Sequence, residues 1–264
     1  MKVGIVGIGG RMGRMLAQAA LDAGAELAGG TERPGSDQIG RDIGELMGRG
    51  PVGIRVGQDP AVLFGASDVV IDFTAPSATL SHAAMAAKLG KALVIGTTGL
   101  SADDELALRA AAESAPIVFA PNYSLGVNLM LALVEQAARA LDEAYDVEIV
   151  EMHHRHKVDS PSGTALGLGR AAAKGRGVAL DAVWRKSRDG QVGARPKGEI
   201  GFATLRGGDV VGDHTVVFAA EGERFEITHK ASSRAVFANG AVKAALWVAG
   251  KPPGFYSMKD VLGI

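Results

Sequence analysis

The chain has 264 residues, 47% of them hydrophobic and 22% charged, with a formal net charge of -1. That is the make-up of a globular protein large enough for one big domain or two smaller ones, and it offers no basic surplus for a nucleic acid or an anionic membrane. Cysteine is absent, which excludes disulfides, thiolate metal sites and cysteine nucleophiles and makes a reducing cytoplasm the expected compartment.

Aromatic residues make up 5%, so small and branched aliphatics must fill the core, while the 37 glycines are about twice ordinary usage. The opening MKVGIVGIGGRMGRML is interrupted by glycines and two arginines. It does not read as a signal peptide, and no segment approaches the ~18 apolar residues of a membrane span.

In chain order, residues 2–6 form a short β-branched run ending at Gly7, 12–23 carry helical spacing, and 25–28 read as a second strand. The apolar run 69–73 predicts a strand, 77–89 a helix, and 93–95 a strand that runs into Gly96-Thr97-Thr98-Gly99. Ser101 opens another helix with N-cap chemistry, and 116–120 predict one more strand. Short apolar strands alternating with helices argue a parallel, doubly wound sheet.

A long helix is expected over 125–141, and then the rhythm changes. Strands are predicted at 147–152, 200–205, 210–219 and 224–230, with only turns between the last three. That pattern predicts a second, smaller α+β domain with an open mixed sheet. Residues 235–249 return to helix. The expected organisation is therefore a Rossmann-like dinucleotide-binding domain from 1–122 and 235–264, and a substrate-binding and oligomerisation domain from 123–234. The segment 175–194 carries no clear signature.

Two motifs carry chemistry. In the first, Gly7, Ile8, Gly9, Gly10, Arg11 and Met12 follow a strand and open a helix. The glycines permit a tight turn and close approach to a pyrophosphate, Gly13 permits close helix packing, and the helix N-terminus favours the phosphate charge. The spacing G-x-G-G-x-x-G departs from the strict fingerprint, so the motif alone is weak, and a plain glycine-rich turn is the alternative. About twenty residues on, Glu32 suits the ribose hydroxyls of NAD, and Arg33 suits the 2′-phosphate of NADP. Use of both NADH and NADPH is the expectation.

The second motif is EMHHRHKVDSPSGTA, from Glu151 to Ala165. A metal site fits poorly: His153 and His154 follow a strand, where neighbours point to opposite faces, and no helical ligand spacing accompanies them. A second reading is a helix start, with Asp159 or Ser160 as cap and Pro161 in the first turn. Ser162, Gly163 and Thr164 would then offer donors to a carboxylate at the positive helix end, with Lys157 adding charge and a histidine able to give a proton. A solvated loop before a well-capped helix remains the plain alternative. His214 and His229, in predicted strands, read as structural.

With these motifs stand DFTAPSAT from Asp72, VIGTTG from Val94, APNYSLGVN from Ala120 and ITHKASSRAVFANGA from Ile227. Together they resemble the dihydrodipicolinate reductases of bacterial lysine biosynthesis over essentially the whole chain. Met152 and Tyr123 depart from the residues common there, a small one and phenylalanine.

The resemblance implies hydride transfer from NADH or NADPH to a cyclic imine dicarboxylate in the diaminopimelate route. It implies His153 and Lys157 as the proton-handling pair, and His154, Lys157, Ser162, Gly163 and Thr164 as the grip on the carboxylates. Gly96, Thr97, Thr98, Ala120, Pro121, Asn122 and Tyr123 would frame the nicotinamide, joined by Arg234 and Phe237. A homotetramer and domain closure, with hinges near 122–125 and 233–234, are also implied. The rivals are an aspartate-type imine reductase or dehydrogenase of the same fold, which needs no two-carboxylate cradle, and a dinucleotide-sensing protein, which needs no His153–Lys157 pair.

Overall fold

A computed structural model describes residues 1–264. In chain order the strands are β1 (Lys2–Val6), β2 (Glu26–Thr31), β3 (Val69–Asp72), β4 (Ala92–Ile95), β5 (Pro116–Phe119), β6 (Asp146–His153), β7 (Trp184–Arg185), β8 (Ile200–Arg206), β9 (Gly212–Ala220), β10 (Glu223–Ala231) and β11 (Gly254–Tyr256). The helices are α1 (Arg11–Asp22), α2 (Ile43–Leu46), α3 (Pro60–Ala66), α4 (Pro76–Leu89), α5 (Ala102–Ala112), α6 (Leu125–Ala140), α7 (Gly163–Gly175), α8 (Leu180–Val183), α9 (Ala235–Val248) and α10 (Met258–Leu262). Two compact units result: Met1–Leu125 with Ala235–Gly263, and Gly126–Arg234 with Ile264. No helix is long and apolar enough to cross a membrane.

The first unit is built on a six-stranded sheet in the order β11-β5-β4-β3-β1-β2, and every pairing in it is parallel. A parallel sheet needs helices on both faces, so its central strands bury both faces, and each residue of VVID in β3 and ALVI in β4 is buried. Alternate residues divide between two cores. Val3, Ile5, Val69, Ile71 and Val94 pack with Leu16 and Ala20 of α1 and Ala241 and Ala245 of α9. Val6, Val70, Leu93 and Ile95 pack with Phe64 of α3, Ala83 of α4 and Leu108 of α5.

Two strands of this sheet differ from the sequence reading. β2 continues through Gly29 and Gly30 to Thr31, pairing with Gly4, Ile5 and Val6; glycines carry no side-chain period, so the strand looks shorter than it is. The sheet also gains β11, which pairs with β5 and at three residues is too short to show alternation.

The second unit holds a mixed five-stranded sheet, β10-β9-β6-β8-β7. β9 runs antiparallel to β6 and β10, whereas β6, β8 and β7 are mutually parallel. One core lies between this sheet and helices α6 and α7: Val147, Ile149, Phe202, Val216 and Phe218 pack with Met130, Val134, Leu168 and Ala172.

β6 alternates without a break, and its buried row is Val147, Ile149, Glu151 and His153. β9 does the same with Gly212, His214, Val216 and Phe218. The period of two carries each apolar row directly into polar residues at one end of the core. Because β6 and β9 pair with Glu151 opposite His214, those polar ends meet.

Candidate active site

In the first unit the turn after β1 is tied to β2, since the backbone N–H groups of Gly7 and Ile8 donate to the Thr31 carbonyl at 2.8 and 3.2 Å. Gly7 has φ +72, and a Cβ at Gly13 would collide with the Gly7 carbonyl oxygen and stand 2.6 Å from Ile8 Cα. The first residue therefore turns the chain, and the second lets α1 lie against the turn.

Gly10 caps α1 without a side-chain hydrogen bond, and the first turn holds no acidic residue. The N–H groups of Arg11, Met12 and Gly13 have no acceptor inside the helix. Glu32, at the end of β2, takes the Gly9 N–H on Oε1 at 2.8 Å, and Arg33 beside it is exposed. An open helix N-terminus, a glycine where a Cβ would block the turn, and a carboxylate on the neighbouring strand fit a dinucleotide.

A cavity of about 360 Å³ opens beyond the carboxyl ends of β3, β4 and β5. Of the residues expected around a cofactor, Met12, Gly96, Thr98, Pro121, Asn122, Tyr123 and Phe237 line it, and Phe73 and Thr74 join them. A Cβ at Gly96 would run into the Phe73 ring, so that glycine gives the aromatic its place.

Thr97 and Ala120 are buried and do not line the cavity. Tyr123 is buried as well, and its hydroxyl donates towards the carbonyls of Ile95 at 2.8 Å and Val118 at 3.1 Å. It thereby joins the ends of β4 and β5. Burial raises its pKa well above the ordinary value, so it stays a neutral donor. Arg234 is exposed and is the residue before α9.

In the second unit the polar end of the core is organised by Glu151, which is 1% exposed. Its carboxylate accepts from Arg206 through Nη1 at 2.8 Å and Nη2 at 3.0 Å, and from the Ser162 N–H at 3.0 Å. It also meets His153 Nδ1 at 2.5 Å. With Nδ1 committed, Nε2 is the nitrogen of His153 left to exchange a proton. A Cβ at Gly212 would stand 3.0 Å from that Nε2, so glycine there leaves room beside it. Burial pushes Glu151 up, but Arg206, His153 and Ser162 outweigh it and the carboxyl lies below its usual range. Burial draws His153 down, and Glu151 opposes that only in part.

The start of α7 differs from expectation. Ser162, rather than Asp159 or Ser160, is the N-cap: its Oγ accepts from the Ala165 N–H at 3.1 Å. Gly163 is the first helical residue, and Pro161 precedes the cap. Asp159 is drawn away by Lys157, whose Nζ lies 2.8 Å from Oδ1, and the Asp159 carbonyl accepts from Arg206 at 2.6 Å.

Ser162 thus spends its N–H on Glu151 and its hydroxyl on the cap, with His214 Nε2 a further 3.2 Å contact. The N–H of Gly163 has no acceptor within the helix, and Thr164 follows it in the first turn. His154 lies past the end of β6; its Nδ1 is buried without a hydrogen-bond partner, and its ring centroid is 6.3 Å from that of His156. No group of three or more His, Asp or Glu side chains converges on a metal position.

Glu151 and Arg206 were not among the site residues expected from the sequence, and His214 was read there as structural. One signal was available: Glu151 stands two residues before His153 and so shares its face of β6. His214 is buried edge-on to His153, with ring centroids 5.1 Å apart. Burial, then the neighbouring His153, lowers its pKa to about 4, against 6.5 for the free side chain. Between those values the unfolded chain binds the extra proton, so stability should fall as pH drops from 6.5 towards 4. Urea midpoints at pH 7.5, 6.0 and 5.0 should decline in that order, and His214→Gln should flatten the decline between the last two. An equally steep decline in the variant would assign the effect elsewhere.

The description "Dihydrodipicolinate reductase, N-terminus" matches residues 1–123, and "Dihydrodipicolinate reductase, C-terminus" matches residues 126–262. The chain belongs to the dihydrodipicolinate reductase family. It is 58% identical to the 4-hydroxy-tetrahydrodipicolinate reductase of Chromohalobacter salexigens, across 100% of this chain and 98% of that one. With the enzyme of the same name from Ruegeria pomeroyi the identity is 56%, across 98% and 97%. A solved dihydrodipicolinate reductase from Paenisporosarcina sp. TG-14, bound to dipicolinate, shares the fold with a TM-score of 0.75 at 24% identity, covering 97% of each chain. As a reductase of this family, the chain uses a nicotinamide cofactor.

Proposed function

We propose that this chain reduces 4-hydroxy-tetrahydrodipicolinate, by way of dihydrodipicolinate, to tetrahydrodipicolinate in the diaminopimelate route to lysine, using either NADH or NADPH. The reading is supported above all by the imidazole of His153, oriented by a buried carboxylate that also anchors the start of α7, in a chain whose relatives carry that enzyme name over their full length.

The cofactor, when bound, supplies a hydride to C4 of the substrate ring. The glycine loop and the first turn of α1 hold its diphosphate, and Glu32 with Arg33 hold the adenosine ribose. The cavity beyond β3, β4 and β5 receives the nicotinamide, with Arg234 as a further contact. His153 protonates the enamine-like product of hydride transfer from Nε2, and Lys157 shares the proton handling. Two incoming carboxylates favour the charged imidazole, offsetting the burial that depresses it. Lys157, His154, the first-turn amides of Gly163 and Thr164 and the Thr164 hydroxyl hold those carboxylates. Ser162 serves by fixing the turn: its N–H donates to Glu151 and its Oγ accepts from the Ala165 N–H.

The deciding experiment mixes the protein with NADH or NADPH and the product of dihydrodipicolinate synthase, and follows the loss of absorbance of the reduced cofactor. Oxidation of both cofactors is expected. Turnover only with an aspartate-derived imine, or cofactor binding without turnover, would favour the two rival readings. A preference of roughly a thousandfold or more for one cofactor would remove the dual-use assignment of Glu32 and Arg33.

Thr164→Val removes a hydroxyl donor at the anion site. It should raise KM for the dicarboxylate about 10-fold or more, on the scale of a hydrogen bond to a charged group, with kcat changed far less. An unchanged KM would count against the cradle.

Self-association to a homotetramer through the second unit is part of the same proposal. β10 is an edge strand with Phe225 49% exposed, and with Leu133 of α6 and Leu141 just after that helix it borders an open apolar groove of about 760 Å³. Such an edge calls for cover, and sedimentation at the mass of a single chain would refute it. The lack of cysteine and the small cellular metabolites involved support a cytoplasmic setting.

A further inference from the structure

One buried polar group in the first unit has no part in the roles assigned so far. Asp72, the last residue of β3, is fully buried. Its Oδ1 accepts from the Thr74 N–H at 2.9 Å and the Thr74 hydroxyl at 2.6 Å, with the Thr97 hydroxyl at 3.4 Å. Its Oδ2 meets His82 Nδ1, from α4, at 2.8 Å. Thr97 in turn accepts from the Thr79 hydroxyl at 2.7 Å and from the Thr74 N–H at 3.1 Å.

Placing a carboxylate and an imidazole in an apolar interior is costly, and a buried polar pair of this kind is often replaceable by hydrophobic side chains without loss of stability. Stability alone is a weak reason for it. The geometry offers another. Thr74 lies in the loop after β3 and Thr97 in the loop after β4, and residues of those two loops, Phe73, Thr74, Gly96 and Thr98, form one wall of the 360 Å³ cavity. The network sits directly behind that wall and ties the loops to each other and to α4.

We infer that Asp72 and His82 are positioning residues for the nicotinamide half of the cofactor: by fixing Thr74 against Thr97, they set the width of the cavity between the two loops. The inference rests on the cofactor assignment made above. Losing the His82 donor frees one carboxylate oxygen and lets the loops drift, and a displacement on the order of 1 Å at such a wall is costly to binding and orientation.

The test compares His82→Leu, which removes the donor, with His82→Asn, whose Nδ2 stands where the imidazole Nδ1 stood. In the full-length protein, NADH dissociation constants would be read by fluorescence titration, alongside KM for NADH, KM for the dicarboxylate, and Tm. His82→Leu should raise Kd and KM for NADH about 10-fold, leave KM for the dicarboxylate within about 2-fold, and be rescued by His82→Asn to within about 3-fold of the wild type.

A Leu variant that melts earlier yet binds NADH as tightly as the wild type would reduce the network to a structural one and overturn the inference. Should His82→Leu fail to fold, Thr79→Val severs only the link to Thr97. It should weaken NADH binding about 3-fold, and an unchanged Kd overturns the inference equally. Wild-type protein that binds no NADH would sink the cofactor reading and this inference together, whereas wild-type binding matched by His82→Leu sinks the inference alone.

Discussion

Replacing His153 by glutamine should lower kcat by about 10²–10⁴, the ordinary scale for losing a general acid, while NADH affinity stays nearly unchanged. Glutamine is similar in size, and Glu151 keeps Arg206 and the Ser162 N–H as partners, so the fold of β6 and the anchoring of Ser162 should survive. What it lacks is a second nitrogen that can gain and lose a proton near neutral pH. The loss should appear in kcat at saturating dicarboxylate, and circular dichroism should match the wild type. Full turnover by the variant would take the proton-transfer role away from His153 and leave Lys157 to carry it.

The second large effect is expected at Glu151. Glu151→Ala strands the Arg206 guanidinium, whose two nitrogens both lie on that carboxylate, and deprives the Ser162 N–H of its acceptor. Breaking a buried pair by removing one partner typically costs about 3–5 kcal/mol, so the urea midpoint should drop far below that of the wild type.

Glu151→Gln separates charge from shape, since it keeps an acceptor for Arg206 and Ser162 but drops the negative charge beside His153. Glu151 raises the His153 pKa against the effect of burial, so without it the imidazolium is lost at lower pH. An acid must be protonated to act. The alkaline fall of kcat should therefore move to lower pH in Glu151→Gln. A profile superimposable on the wild type would show that Glu151 does not tune His153. Wild-type stability in Glu151→Ala would deny it the structural role.

Much of the fold is readable from local pattern. The valine and isoleucine runs of β1, β3 and β4, the glycines after β1 and the capping residues of α5 each act through neighbours within four positions, where backbone geometry dictates who can touch whom. β2 was harder to read because Gly29 and Gly30 have no side chains to show a period, and β11 because three residues are too few. The stretch from Glu151 to Ala165 announces its chemistry by composition. Yet the cap falls at Ser162 instead of Asp159 or Ser160, and the carboxylate and carbonyl of Asp159 are taken by Lys157 and Arg206.

By itself, then, the sequence determined an alternating α/β framework, a glycine loop opening the first helix, and a histidine-rich strand end leading to a helix start. Only the tertiary structure decided the partners: Arg206 on Glu151 across 55 positions, His214 beside His153 through the pairing of β6 with β9, and Thr97 against Thr74 and Asp72. The physical reason is that side-chain direction along a strand or helix follows from local dihedral angles. Which distant side chain completes a buried charge depends on the register of paired strands, and that is settled by the packing of the whole sheet.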